Sequence, residues 1–514
     1  MATPHSTSDL AQTLTEIEIQ QRLEAVFRVL SEYSIVSVVD VAMKILALPA
    51  KNQLDDLGRL PGITLLLVQL ACRNRAASQC LGASLPGIMF DELREELWNL
   101  TGAASLKGPS LQASLRSYLP AQIEFQVDRR GSTIRWAFLL KNDENSDAAK
   151  QMFEEVIGMT PAMFIDAAAT LARFTGLPAR TLPPSSFDSF PEAVRPAVLK
   201  IIKMLTRNLL ELRLELQKEV GERPNKWELY QIPFAAKFPF LETDQEALFI
   251  WHPRMLNRAL EGFLHYQLMQ AKGELYLRIF TRKFEQYVTQ LCREIHPSQI
   301  SEEAWQLKMG KQGSAVESIL GFEGTNVFVE AKMAYNRDVT ILEEEPSKLI
   351  SRLERVTDAL YQARRVSQRL RRESERYPKR AAAIEEFAII VTSRELYIGH
   401  GERLEKLLPP GSIDFDDIGV NARLPLRNVL VVSIDDFELL QAGVRRGDID
   451  LLPFLQEVAT RNSDPITAAF FLFDHLREKL GKNHQLPVGL ENELKAADNR
   501  VLSMFKARLQ ELKA

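Results

Sequence analysis

The sequence predicts a multidomain α/β protein, and three observations carry that expectation. Apolar residues recur every three to four positions over roughly 8–118 and again from about 446 onward, the spacing of amphipathic helices. Between these stretches lie short apolar runs, "NVFVEAK", "EEFAIIVTS" and "NVLVVSI", whose length and β-branched content suit strands. The 514 residues, 46% hydrophobic and 26% charged, supply enough apolar surface for more than one core, so two to four domains are expected.

Composition also narrows the function. A net charge of -4 excludes a uniformly basic nucleic-acid coat but leaves room for a basic patch on one face. The three cysteines, Cys72, Cys80 and Cys292, form no CxxC and no even-numbered framework, which points to a reducing, cytoplasmic setting and away from structural zinc. "MATPHSTSDLAQ" has no basic region followed by an apolar core, so no secretory signal is expected. The runs "ITLLLVQLAC" and "ITAAFFLF" fall short of the roughly 20 residues that span a bilayer, so no membrane partner is expected. No GxxxxGK[ST], HxxxH or HExxH is present, which argues against a built-in P-loop motor and a zinc hydrolase. "DFDDIG" lacks EF-hand spacing and reads as an acidic loop, and His400 as a loop histidine.

Taken in order, residues 1–225 form a helix-rich N-terminal domain. Within it, Ile123, Phe125 and Val127 alternate, Asp128 to Thr133 supply turn residues, and Ile134, Trp136, Phe138 and Leu140 alternate again, which predicts a β-hairpin near 122–141. Arg129, Arg130 and Arg135 there read as surface. Helices follow at about 147–175 and 195–220, separated by a Pro/Ser-rich connector. A second domain, 226–445, begins where the composition turns aromatic. It is expected to hold a helix at about 256–295, two strands, a basic helix at about 346–376 and two further strands. Residues 446–514 complete the chain as a helical segment.

The 226–445 region carries the chemistry. In a strand Phe328, Glu330 and Lys332 share one face, so an acid and a lysine point the same way out of an apolar run. Burying either charge alone would cost several kcal/mol, roughly, so the pair must be matched or must bind something charged. Upstream, "AVESILGFEGTN" offers a second strand and a turn. A loop at Glu323–Gly324 sets Phe322 opposite Thr325, Leu320 opposite Val327 and Glu317 opposite Glu330. Opposed carboxylates repel, so positive charge belongs between them. Lys332 supplies part of it; the two carboxylates and the Ala331 carbonyl also make an oxygen-rich pocket suited to Mg²⁺ or Mn²⁺. The plain alternative is a cross-strand Glu/Lys cluster on a half-exposed face.

At these residues the chain resembles the PD-(D/E)XK nuclease superfamily, with its restriction-endonuclease-like mixed sheet flanked by helices. The pieces come in that family's order: "TRKFEQYVTQLC" with Glu285, "AVESIL" with Glu317 where the family usually has Asp, "VFVEAK" with Glu330 and Lys332, and "DALYQARR" with Gln362. The resemblance covers roughly 230–445. It implies that Glu317, Glu330 and Lys332 are catalytic, that Glu285 helps hold a metal or its water, and that Gln362 supports substrate or site. It also implies a divalent-metal-dependent endonuclease, on DNA before RNA, with a role in defence against phage or other foreign DNA.

A nucleic-acid substrate needs a surface for its backbone. Arg365, Arg369, Arg372 and Arg376 fall along one stripe at helical spacing directly after the ExK strand, in an otherwise acidic chain. A solvated helix face is the alternative for that stripe. Two rival functions stay open: a catalytically inactive module that binds nucleic acid or a partner, and an RNA-directed toxin nuclease. A second copy of the chain or an unidentified activator remains an open partner.

Overall fold

The computed structural model describes residues 14–511 except 49–56, 75–82, 105–115, 117–119, 122, 127–130, 142–146, 175–179, 312, 335–339, 342, 344, 416–422, 465–466 and 482–484. It is a mixed α/β protein, and its contacts divide it into two compact units. One comprises 1–134, 162–266 and 497–514; the other comprises 135–161 and 267–496. The chain therefore does not divide at 225 and 446. Residues 226–266 and the last 18 pack with the N-terminal helices, and 135–161 pack with the unit that carries the acidic hairpin. Composition shifts mark changes of local structure, and each unit is assembled from segments far apart in sequence.

In the first unit, Glu16–Leu30 shows how the helices arise. Thr15 and Glu18 form a reciprocal capping box, and Ile19, Leu23, Val26 and Leu30 recur on one buried face. The expected helix over 195–220 is two helices, Arg195–Leu205 and Leu209–Val220. Between them Thr206–Asn208 is extended, because Asn208 caps the second helix in a box with Glu211. That segment, β2, belongs to a four-stranded sheet with β1 (Thr181–Leu182), β3 (Phe240–Glu242) and β4 (Leu248–Ile250), in the order β1-β4-β3-β2. Strands this short gave no periodic signal.

The hairpin expected near 122–141 is not formed. Ser132–Lys141 is an α-helix and Glu124–Gln126 a turn; Gln122 and 127–130 lie outside the described residues. Residues 131–137 of this stretch are all buried, Arg135 included, and a short run buried on every side cannot be told from a strand by its period.

The second unit is built on a six-stranded mixed sheet in the order β5-β6-β7-β8-β10-β9. Its strands are β5 (Ile300–Ser301), β6 (Ser318–Gly321), β7 (Thr325–Lys332), β8 (Glu385–Thr392), β9 (Gly399–His400) and β10 (Val429–Ser433). β7, β8 and β10 run parallel and are buried almost throughout, as strands covered on both faces must be. The Pro346–Arg372 helix makes the crossover from β7 to β8 that a parallel pair requires. It ends at Arg372, so Arg376 lies in the following turn. The Pro253–Ile295 helix is interrupted at Gly273, whose φ of 42° is not helical.

Candidate functional site

The β6–β7 hairpin has the register its turn predicts. Leu320 faces Val327, Ser318 faces Val329, and the Phe322 amide donates to the Thr325 carbonyl at 2.9 Å. Gly324 closes the turn at φ 68°, a left-handed value. One step beyond the last pair, the Glu317 amide donates to Glu330 Oε2 at 3.2 Å, so the two acids are neighbours. Both are enclosed, Glu317 at 9% and Glu330 at 5% exposure.

A third acid joins them. β5 pairs Ile300 with Ile319 and Ser301 with Ser318, and the next amide, that of Glu302, donates to the Glu317 carbonyl at 3.2 Å. Glu302, Glu317 and Glu330 thus occupy consecutive positions across the sheet. Glu302 carries no signal of its own in the sequence: an acid just after the N-cap Ser301 is ordinary at a helix start, and β5 is only two residues long. Gln306 donates to Glu302 at 2.6 Å and holds it in place.

Lys332 donates to Glu330 Oε1 and, at 3.0 Å, to the Gln362 Oε1 of the crossover helix. Glu285, on the Pro253–Ile295 helix, is half-buried and within electrostatic reach of Lys332, Glu302 and Glu317. The residues singled out at the hairpin, Glu285, Glu317, Glu330, Lys332 and Gln362, therefore converge on one place.

Their protonation follows from burial and crowding. Burial first, then Glu330, Glu285 and Glu302, push the Glu317 carboxyl up to about 9 against the opposing pull of Lys332. Burial pushes Glu330 up to about 7, although the Lys332 charge and hydrogen bond and the Glu317 amide favour its ionised form. Burial also raises Glu285, with Lys332 opposing and Glu302 reinforcing.

The donor set suits a hard divalent cation: two opposed carboxylates beside a backbone carbonyl, that of Ala331, on a strand. Neither sulfur nor imidazole is part of it. Among the described residues no group of three or more His, Cys, Asp or Glu side chains is gathered tightly enough to cage a metal unaided. A bound ion would therefore rely on the two carboxylates, the carbonyl and water.

The arginine stripe is largely committed elsewhere. Arg369 donates to the Met309 carbonyl, pairs with Glu373 at 2.7 Å and lies over Trp305. Arg376 donates to the Lys308 carbonyl at 2.6 Å, so both arginines bind carbonyls in the last turn of Glu302–Met309. Arg365 packs over Tyr361, and Arg372 is exposed. Arg135 is not at the surface: it is fully buried and paired with Glu438 and Asp435. Arg129 and Arg130 lie outside the described residues, as does much of "DFDDIG". His400 is buried, with burial and then Arg403 pushing it down to about 3, so it is a neutral core histidine.

No family model, no curated protein and no solved structure matches this chain. Among the described residues no single helix is long and apolar enough to cross a membrane.

Proposed function

We propose that the chain is a divalent-metal-dependent nuclease with a restriction-endonuclease-like core, an endonuclease acting on DNA before RNA. One observation carries the reading: Glu317 and Glu330 oppose each other across a buried hairpin, with Lys332 held between Glu330 and Gln362. Glu317, Glu330 and the Ala331 carbonyl would hold Mg²⁺ or Mn²⁺, which when bound supplies an activated water and a counter-charge for the phosphate. The chain's own part begins with Lys332. Its ammonium has three donors, two of them used by Glu330 and Gln362, which leaves one for the developing charge on the substrate. Gln362 is a positioning residue, fixing the ammonium rather than touching the reacting atoms. Defence against foreign DNA follows from the family resemblance alone.

The test is cleavage of plasmid DNA and total RNA by the wild type and Lys332→Ala, with Mg²⁺, Mn²⁺ or EDTA. The expected outcome is metal-dependent cutting of DNA by the wild type and a loss of at least about a hundredfold in the variant. Equal cutting by both would remove Lys332 from the mechanism. A second reading, a non-catalytic binding module, is favoured by the Lys332–Glu330 pair, which satisfies the glutamate without a metal ion. Calorimetric titration with Mn²⁺ separates the two: heat that Glu317→Gln abolishes supports the nuclease, and no heat from the wild type supports the binding module.

A further inference from the structure

Beside Lys332 the second unit contains a cavity of about 130 Å³. Lys332 forms part of its wall, together with Arg352, Arg355 and Ser351 of the crossover helix and the hydroxyl residues Thr340 and Thr392. We propose that this cavity is a phosphate subsite, seating a nucleic-acid backbone phosphate that flanks the one being cut. The inference rests on the nuclease reading above and adds to it the residues that grip the substrate.

Three features point to phosphate. Among the described residues the wall brings together two arginines, Arg352 and Arg355, a lysine, Lys332, and one acidic residue, Glu354. Arg352 and Arg355 are one helical turn apart and exposed, so their heads reach solvent where a polyanion arrives. Among the described residues the remaining lining is aliphatic or hydroxylic, which suits a phosphate and its sugar. The spacing ties this subsite to the catalytic group. Arg355 precedes Gln362 by seven residues, two turns or about 10 Å along the same helix face, and Gln362 is the residue that holds Lys332. One rigid helix would thereby set both the ammonium and the neighbouring phosphate. Recognition of this kind is independent of sequence.

The experiment is fluorescence anisotropy of a labelled 20-base-pair DNA duplex in EDTA, across a salt series, paired with cleavage in Mg²⁺. It compares the wild type, Arg352→Gln/Arg355→Gln, Arg352→Lys/Arg355→Lys, and the charge-removal control Arg28→Gln. The glutamine pair is expected to lower affinity at least about tenfold and to reduce the slope of log K against log salt by about one per arginine. The lysine pair should keep the slope and the control should match the wild type. Thermal unfolding should be unchanged in all, since both arginines are exposed. A wild type that binds and cuts DNA while the glutamine pair binds with the same affinity and slope overturns the subsite and leaves the nuclease standing. A wild type that neither binds nor cuts overturns both.

Discussion

Glu317 sits between two other acids, and burial and their charge hold its proton up to about 9. In the unfolded chain the same carboxyl titrates in the ordinary range near 4.5. The folded state therefore binds the proton more tightly, and linkage fixes the sign. The stabilising contribution is fully present below the unfolded value and is lost as pH rises through about 7 for Glu330 and about 9 for Glu317. Without metal, the melting temperature should fall between pH 5 and 9, and Glu317→Gln, which is neutral throughout, should flatten that fall. Thermal scans in EDTA at pH 5, 7 and 8.5 check this; a wild type and variant with parallel profiles would refute it. Because ligands must be deprotonated to bind metal, added Mn²⁺ should raise the wild-type melting temperature more at pH 8.5 than at pH 6.

The hairpin is the element on which the site depends, and its turn rests on one backbone position. Gly324 has φ 68°, and its carbonyl accepts from the Ile384 and Glu385 amides where β8 begins. An added Cβ would meet Ile384 only at 3.9 Å, an ordinary contact, so a side chain there is opposed by conformation rather than by space. Gly324→Ala should destabilise the protein by about 1–2 kcal/mol, and Gly324→Asn by less, since Asn tolerates the left-handed region. Thermal unfolding of the full chain measures both, and equal loss from Ala and Asn would show that space matters after all. This element was legible before the structure because strands fix their register through alternation and turn length. Val327 and Val329 face one way, Phe328 and Glu330 the other, and Glu323–Gly324 leaves a single pairing. The Ser132–Lys141 helix was not legible for the opposite reason: with nearly every residue buried, no polar face marks its period. The arginine stripe misled differently. Spacing showed a shared face but not that Arg369 and Arg376 spend their donors on the carbonyls of Met309 and Lys308.

At the scale of the molecule, the second unit is assembled from segments whose pairing no local pattern announces. Arg135 is separated by 303 residues from Glu438, yet donates to both its oxygens, at 2.7 and 2.8 Å, and to Asp435. Tyr287, from a third segment, donates to Glu438 Oε1 at 2.7 Å. Arg135 and Glu438 are fully buried, so a hydrophobic replacement of the whole cluster would cost little, whereas removing one member strands the others. Arg135→Met takes from Glu438 and Asp435 the guanidinium that pairs with both and should cost about 3–5 kcal/mol, the penalty for breaking a buried ion pair from one side. Lys332→Ala is the contrasting case. It also deprives a buried glutamate of its cation, but Glu330 already titrates at about 7 and can accept a proton. Its effect on stability should therefore be smaller than that of Arg135→Met and should shrink further at pH 6. Urea unfolding of the two variants at pH 6 and 8 measures the difference. If Lys332→Ala proves as costly as Arg135→Met at both values, Lys332 is a structural counter-ion of the same kind, and the binding-module reading gains over the nuclease.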